Sequence, residues 1–267
     1  MTDTEHTARG AAPMHGSHDG DGMHATATVR RDGAAAAHAE EPNRLLRALA
    51  PDDYEWLLPQ LTPMRLRLRD VLVEPQRPIT HVYFVREGVG SMLAVEQEGG
   101  EVEVGTIGRE GFVGLPLLLD AETSSYRVIV QVEGDAWRLG ADAFRRLLDE
   151  RPHLRRRCLR YAQYFADQMA QSVACNRLHT LEERCARWLL MTHDRVHGDV
   201  FELTHEFLAT MLGVRRAGVT VAMGTLQGAG LVTYSRGRVS ILDRALLEGA
   251  ACDCYGVTRA SYDRLLG

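Results

Sequence analysis

Five arginines, Arg215, Arg216, Arg236, Arg238 and Arg244, fall between Thr204 and Arg244, where the only opposing acids are Glu206 and Asp243. A guanidinium is a planar fork of donors that fits a phosphate or the paired acceptors on a guanine edge. The cluster stands out because the whole chain carries a net charge of -5 and contains no lysine, so every fixed side-chain cation is arginine. A locally basic stretch in an acidic chain is the distribution expected of a surface that meets a polyanion. A GC-rich genome would also favour arginine over lysine, so the placement of these residues carries more weight than their number.

Spacing supplies that placement. Thr204 is a good helix N-cap, and Leu203 and Leu208 are set to staple across it. Phe207, Leu208, Met211 and Leu212 then mark the buried face of a short helix, Ala209 leaves room for a crossing helix, and Gly213 provides a tight turn. A second helix follows with Val219, Ala222, Met223 and Leu226 inward at helical spacing, and Gly230 stops it. That register turns Arg215, Arg216, Ala217, Thr220 and Val221 outward near its N-terminus, the end that enters a DNA major groove in a helix-turn-helix. Arg216 can fork onto guanine O6 and N7, and Val221 can touch a thymine methyl. Residues 231–234 and 239–242 read as two strands joined by Ser235-Arg236-Gly237-Arg238, a basic hairpin tip beside the helices, hence a wing that holds phosphates. The alternative is an αα-hairpin and β-hairpin with no ligand, or a winged helix that makes protein contacts.

Other reactive side chains are poorer in pattern. Five cysteines, Cys158, Cys175, Cys185, Cys252 and Cys254, show no framework spacing and suit a reducing compartment. Cys252-Asp253-Cys254 could join a metal site or a thiol switch, but two cysteines are half a zinc shell and no histidine lies nearby, so a structural or incidental role is expected and no metal site. Five of the eleven histidines, His6, His15, His18, His24 and His38, lie irregularly in the N-terminal segment. No carboxylate pair, nucleophile motif or phosphate loop has supporting context, so no catalytic residue, enzyme activity or cofactor is expected. No apolar run is long enough to span a bilayer and no secretory signal is evident, which predicts a cytoplasmic protein without a membrane partner.

These groups need elements to hold them. Residues 1–41 are rich in Ala, Gly, His, Thr and Asp and predict a disordered acidic tail. Leu45, Leu46, Leu49, Trp56, Leu57 and Leu58 predict one or two short helices. From Leu61 to Leu139 the period becomes two: Met64, Leu66 and Leu68 alternate with arginines, and Val82, Phe84, Val102, Val104, Val128, Val130 and Val132 continue the pattern. Turns are expected at Glu87-Gly88, Gly99-Gly100, Gly108, Gly111 and Gly134-Asp135. Pro152 opens a long helix with two apolar seams, one through Leu154, Cys158, Tyr161, Phe165, Gln168, Ser172 and Cys175, the other through Leu159, Ala162, Ala166, Met169, Val173 and Asn176. Two seams mean packing on two sides, against the chain's own strands and against a partner helix; burial within one domain is the alternative. A further helix runs from Thr180 to Val196.

The fold class is therefore α+β. A jelly-roll-like antiparallel β-roll sensor (42–150) leads into a dimerisation helix (151–178), a winged helix-turn-helix (179–249) and a C-terminal helical tail (250–267). The run Leu203-Thr-His-Glu-Phe-Leu-Ala-Thr-Met-Leu-Gly-Val-Arg-Arg216, with this order of elements, resembles the Crp/Fnr regulators over about residues 43–249. The resemblance implies a homodimer along Pro152–Leu178, a near-palindromic double-stranded DNA operator, and RNA polymerase as a further partner. Family members commonly carry Arg, Glu and Arg at three recognition positions, which fall here on Arg216, Ala217 and Val221. Only the first is kept, so a different operator is expected. Gly218 and Gly224 weaken the recognition helix by about 1 kcal/mol each relative to alanine.

The resemblance also bears on the sensor. Cyclic-nucleotide binders of the family place a glutamate after a glycine for the ribose and an arginine for the cyclic phosphate. Here Gly114 is followed by Leu115, Ser124 stands near the arginine position, and Arg127 is displaced. An effector other than cyclic AMP is expected. Gly108-Arg109-Glu110-Gly111 reads as a β-roll turn. The family's N-terminal cysteine cluster for iron and sulfur is absent, the first cysteine being Cys158.

Overall fold

The computed structural model describes residues 36–267. Two short helices, α1 (Arg44–Arg47) and α2 (Pro51–Leu57), precede the strands; Asn43 caps α1, and Pro51 sits in the first turn of α2 with Asp52 and Asp53 behind it. An antiparallel sheet follows, built from β1 (Thr62–Leu66), β2 (Val71–Val73), β3 (His81–Val95), β4 (Glu101–Ile107), β5 (Phe112–Val113) and β6 (Tyr126–Gly140), in the order β1-β6-β3-β4 with β2 on β6 and β5 on β3. The alternation works as expected at Leu66, Val82, Phe84, Val128 and Val130, all buried, while Leu68 lies past the end of β1 and is exposed.

Two of the expected turns are not turns. Glu87-Gly88 and Gly134-Asp135 lie inside the fifteen-residue strands β3 and β6, at register shifts of their pairing. A Cβ on Gly134 would meet the Glu87 carbonyl at 2.0 Å, so glycine here serves close backbone approach at a bulge. Gly99-Gly100 and the Gly108–Gly111 segment do turn, the latter closed by Gly111 N donating to Gly108 O at 3.1 Å. After Gly114, which has φ 112°, a single helical turn α3 (Leu115–Leu118) interrupts the strands.

Helix α4 (Ala141–Glu150) leads to the long helix α5 (Pro152–Leu178). The first apolar seam of α5 packs on its own sheet from Leu154 through Cys158, Tyr161 and Phe165 to Gln168, all at most 1 % exposed, while Cys175 at its far end is buried against Cys252 and Cys254. Gln168 is tolerated there because it pairs with the edge of β4, accepting from Thr106 N at 2.6 Å and donating to Thr106 O. The second seam is only partly covered: Leu159 and Val173 are 44 % and 70 % exposed, whereas Ala162 and Met169 are half-buried at the margin of the β-roll core.

The tail drawn over 1–41 lies outside the described residues up to 35, but its last six residues do not. The His38 ring stacks on Tyr54 at 4.4 Å. Buried Glu41 accepts hydrogen bonds from Asn43 N, Tyr54 Oη and Trp137 Nε1, which its charge alone could not reveal.

Beyond α5 come α6 (Leu181–His193), β7 (Val200–Glu202), α7 (His205–Leu212), α8 (Arg216–Gly228), β8 (Val232–Ser235), β9 (Arg238–Ile241), α9 (Arg244–Ala250) and α10 (Cys254–Leu266). Thr180 and Glu183 form a reciprocal cap on α6. Helix α6 is buried without a break from Cys185 through Thr192, because it is wedged between the winged-helix core and the β-roll. Helix α10 turns back along α5, where Ser261 Oγ donates to Asp167 at 2.5 Å and Leu266 enters the β-roll core.

Candidate nucleic-acid interface

Helix α7 begins as its sequence requires: Thr204 Oγ1 accepts from Phe207 N at 3.1 Å, with Leu203 and Leu208 both buried beneath it. Gly213 ends the helix with φ 62°, a left-handed conformation that glycine adopts without strain. Arg184 of α6 donates to the carbonyl of Leu212 at 2.5 Å, satisfying one of the carbonyls freed at that end. Val219, Ala222, Met223 and Leu226 of α8 are all at most 3 % exposed against α6 and α7.

The opposite face of α8 therefore points to solvent. Arg215, Arg216, Ala217, Thr220 and Val221 are exposed, Val221 at 66 %. The Arg216 Nε lies 3.9 Å from the Glu206 carboxylate with both side chains more than two-thirds exposed, so the pair is weak and the guanidinium is available. Strands β8 and β9 pair antiparallel on β7 to form the wing, with Ser235 opposite Arg238. Its tip places Arg236 at φ 50° and Gly237 at φ 77°. Two consecutive left-handed residues match the twist of a tight hairpin, and holding arginine rather than glycine or asparagine there is strained. Ser235, Arg236 and Arg238 are exposed on the same tip.

Two residues that the sequence did not single out lock wing, α7 and α8 together. The His205 ring stacks on Tyr234 at 4.1 Å and its Nδ1 lies 3.0 Å from Thr220 Oγ1. Partial burial, with the nearby Arg216 charge, lowers the His205 pKa. Thr220 also donates to Arg216 O, so this contact fixes the helix turn that presents Arg216. His205 opens α7 and Tyr234 lies on β8, so no local spacing in the sequence links them.

The winged-helix unit is bound to the β-roll by charged contacts. Glu110, in the Gly108–Gly111 turn, accepts from Arg195 Nε at 2.9 Å and Nη2 at 2.6 Å, with both side chains 6 % exposed. Arg109 Nη2 donates to Asp194 O at 2.8 Å. On β4, Glu103 accepts from Trp188 Nε1 at 3.0 Å and Ser91 Oγ at 2.6 Å; burial pushes its carboxyl up to about 7.

A cavity of about 720 Å³ opens between β3, β4, the β5–β6 segment and α5. Its lining is apolar, with Met92, Val104, Leu115, Tyr126, Phe165 and Met169 prominent, and holds no charged side chain. Arg127, displaced as expected, points elsewhere: it pairs with Glu74 at 2.6 Å and with Glu101.

The surroundings of Cys252 and Cys254 are richer than their spacing in the chain indicates. The fold brings Cys175 and His179, from the end of α5, against both of them. His179 is seventy-five residues from Cys254 in sequence, which is why spacing could not show it.

A Crp-like helix-turn-helix domain family matches residues 183–250, and a cyclic nucleotide-binding domain family matches residues 63–151. No curated protein matches the chain. Among solved structures it is similar to a Crp/Fnr-family protein from Eubacterium rectale (18 % identity, 77 % of this chain and 96 % of that one, TM-score 0.60). It is similar also to FixK2 from Bradyrhizobium japonicum (14 %, 72 % and 98 %, 0.61) and to the c-di-GMP-responsive global regulator CLP from Xanthomonas campestris (17 %, 73 % and 100 %, 0.59). At such identities the structural likeness speaks for the fold, and it agrees with the two domain matches in content and order. A cyclic nucleotide-binding domain followed by a Crp-like helix-turn-helix, on this shared fold, places the chain in the Crp/Fnr family of DNA-binding transcription regulators.

Proposed function

We propose that the protein is a cytoplasmic, sequence-specific regulator that works as a homodimer on near-palindromic DNA and answers to an effector other than cyclic AMP. The observation that carries the reading is the solvent-facing row of α8, with Arg216 at its N-terminal end and Arg236 and Arg238 on the adjacent wing. In this reading Arg215, Arg216, Ala217, Thr220 and Val221 meet base edges and nearby backbone, while Ser235, Arg236 and Arg238 hold phosphates.

Dimerisation is supported by the second seam of α5, which leaves Leu159 and Val173 exposed although it is apolar and heptad-like. Two recognition helices related by a twofold axis require half-sites about one helical turn apart. The cavity supports the effector reading. A cyclic phosphate placed there would lose its water without gaining a cation, because no charged side chain lines the space. A largely apolar effector would contact Ala162, Ala166 and Met169 of the dimer seam, which links occupancy to the relation between the two helices.

Selection of bound duplexes from a random pool tests the reading. A recovered near-palindrome, with affinity unchanged by millimolar cyclic AMP, is the expected result. Recovery of no shared sequence overturns sequence-specific binding, and a clear gain of affinity with cyclic AMP overturns the effector assignment.

A further inference from the structure

Three buried sulfurs gather away from both hydrophobic cores. Cys175, Cys252 and Cys254 are 1 %, 5 % and 1 % exposed and form a cluster with no aliphatic or aromatic member. Cys175 Sγ lies 3.5 Å from Cys252 Sγ, and Cys254 Sγ lies 3.4 Å from His179 Nδ1. All four ligand atoms are within 4.8 Å of one another. A tetrahedral zinc ion with Zn–S of about 2.3 Å and Zn–N of about 2.0 Å has S···S edges of about 3.8 Å and S···N edges of about 3.5 Å. The Cys175–Cys252 and Cys254–His179 separations are close to such edges, and all four atoms are near enough to converge on one ion.

The surroundings point the same way. Gln171 Nε2 donates to Cys254 Sγ at 3.0 Å, an outer hydrogen bond of the type that orients a ligand. Arg187 is 8 % exposed, donates to Ser172 Oγ at 3.2 Å, and leaves its Nε without a partner. A buried guanidinium calls for negative charge nearby. Three thiolates and an imidazole around a dication carry one net negative charge.

We infer that Cys175, His179, Cys252 and Cys254 form a closed Cys3His site for one thiophilic divalent cation, zinc by its donor set and geometry. Four protein ligands leave no open position, so the site is structural and not hydrolytic. Its place gives it a task. Cys175 sits on the last turn of α5 and His179 caps its end, where the chain enters the winged-helix unit. Cys252 and Cys254 sit where the chain leaves that unit after α9. One ion therefore clamps entry and exit together and fixes the winged-helix unit on the long helix. Four ligand atoms this close serve a single metal rather than the separate corners of an iron–sulfur cube.

The test is metal analysis of the full chain purified under reducing conditions and dialysed against EDTA. One zinc per chain is expected. Cobalt exchanged into it is expected to give tetrahedral ligand-field bands and a thiolate-to-cobalt charge-transfer band. That band requires sulfur, so the histidines of the N-terminal segment cannot produce it. Cys252→Ser and Cys254→Ser are expected to lower retained metal at least tenfold, while Cys185→Ala keeps it. His179→Gln, at a partly exposed position, keeps the test open if the cysteine variants do not fold: its metal is lost on dialysis while the charge-transfer band weakens. Wild-type protein with under a tenth of an equivalent and no tetrahedral cobalt spectrum overturns the inference. So does a Cys175–Cys252 disulfide in the metal-free wild type, or full retention of metal by the Cys252→Ser, Cys254→Ser double variant.

Discussion

The Glu110–Arg195 pair is the contact whose loss has the most calculable effect. Arg195 follows α6, and its guanidinium gives two nitrogens to one carboxylate oxygen of Glu110 and a third to Met191 O. Arg195→Met keeps most of the stem but leaves the Glu110 carboxylate 6 % exposed, with Gly108 N at 3.2 Å as a remaining donor. Removing one partner of a buried pair costs about 3–5 kcal/mol, because a charge is left without compensation. For a chain of this size that is a fall in Tm on the order of 10 °C. Adding Glu110→Gln removes the stranded charge and should recover about 2 kcal/mol or more, since replacing both members of a buried pair is often close to neutral. The assay is urea and thermal unfolding of the four proteins of the cycle, followed by tryptophan fluorescence. Trp137 lies on β6 and Trp188 on α6, so the signal covers both sides of the contact. The single variant should also separate the two unfolding steps. A loss below about 1 kcal/mol, or a double variant no more stable than the single one, would refute the reasoning that this pair bonds the two units.

Two other expectations follow from named contacts. Glu103 has its folded pKa raised to about 7 from an ordinary 4.5, so between those pH values the native state holds a proton that the unfolded chain does not. Stability should fall by about 3 kcal/mol as pH rises through that window, and Glu103→Gln should flatten the slope; an unchanged pH profile in the variant contradicts the assignment. Ala166→Arg, on the outward seam of α5, should convert dimer to monomer by light scattering without loss of far-ultraviolet circular dichroism, whereas a folded dimer would exclude that helix as the axis.

The parts of the fold legible in the sequence are those specified by near neighbours along the chain. Capping residues, helical spacing and Gly213 gave the two helices of the motif, and alternation at Val82, Phe84, Val128 and Val130 gave the sheet. The same local logic misread Glu87-Gly88 and Gly134-Asp135, because glycine signals a turn and a bulge alike, and only the partner strand distinguishes them. Long-range contacts left no periodic trace: Glu110 with Arg195, Glu103 with Trp188, and the four ligands spread from Cys175 to Cys254. The burial of α6 on all sides and of Glu41 are likewise properties of what packs against them. In the interface, exposure at Arg216 and Val221 was readable from register, but the His205–Tyr234 stack depends on the wing folding back beside α7.

The central claim is that α8 reads bases and the wing holds backbone. Its most direct test is titration of Arg216→Ala and Arg236→Ala against a selected operator and a scrambled duplex at several salt concentrations. A bidentate arginine–guanine contact gives about 1–3 kcal/mol of discrimination, and a phosphate contact gives none. Arg216→Ala should therefore weaken the operator roughly 5- to 150-fold more than the scrambled DNA. Arg236→Ala should weaken both alike and reduce the salt slope by about one per subunit. Equal loss on both duplexes for Arg216→Ala would contradict the account and place that arginine on the backbone.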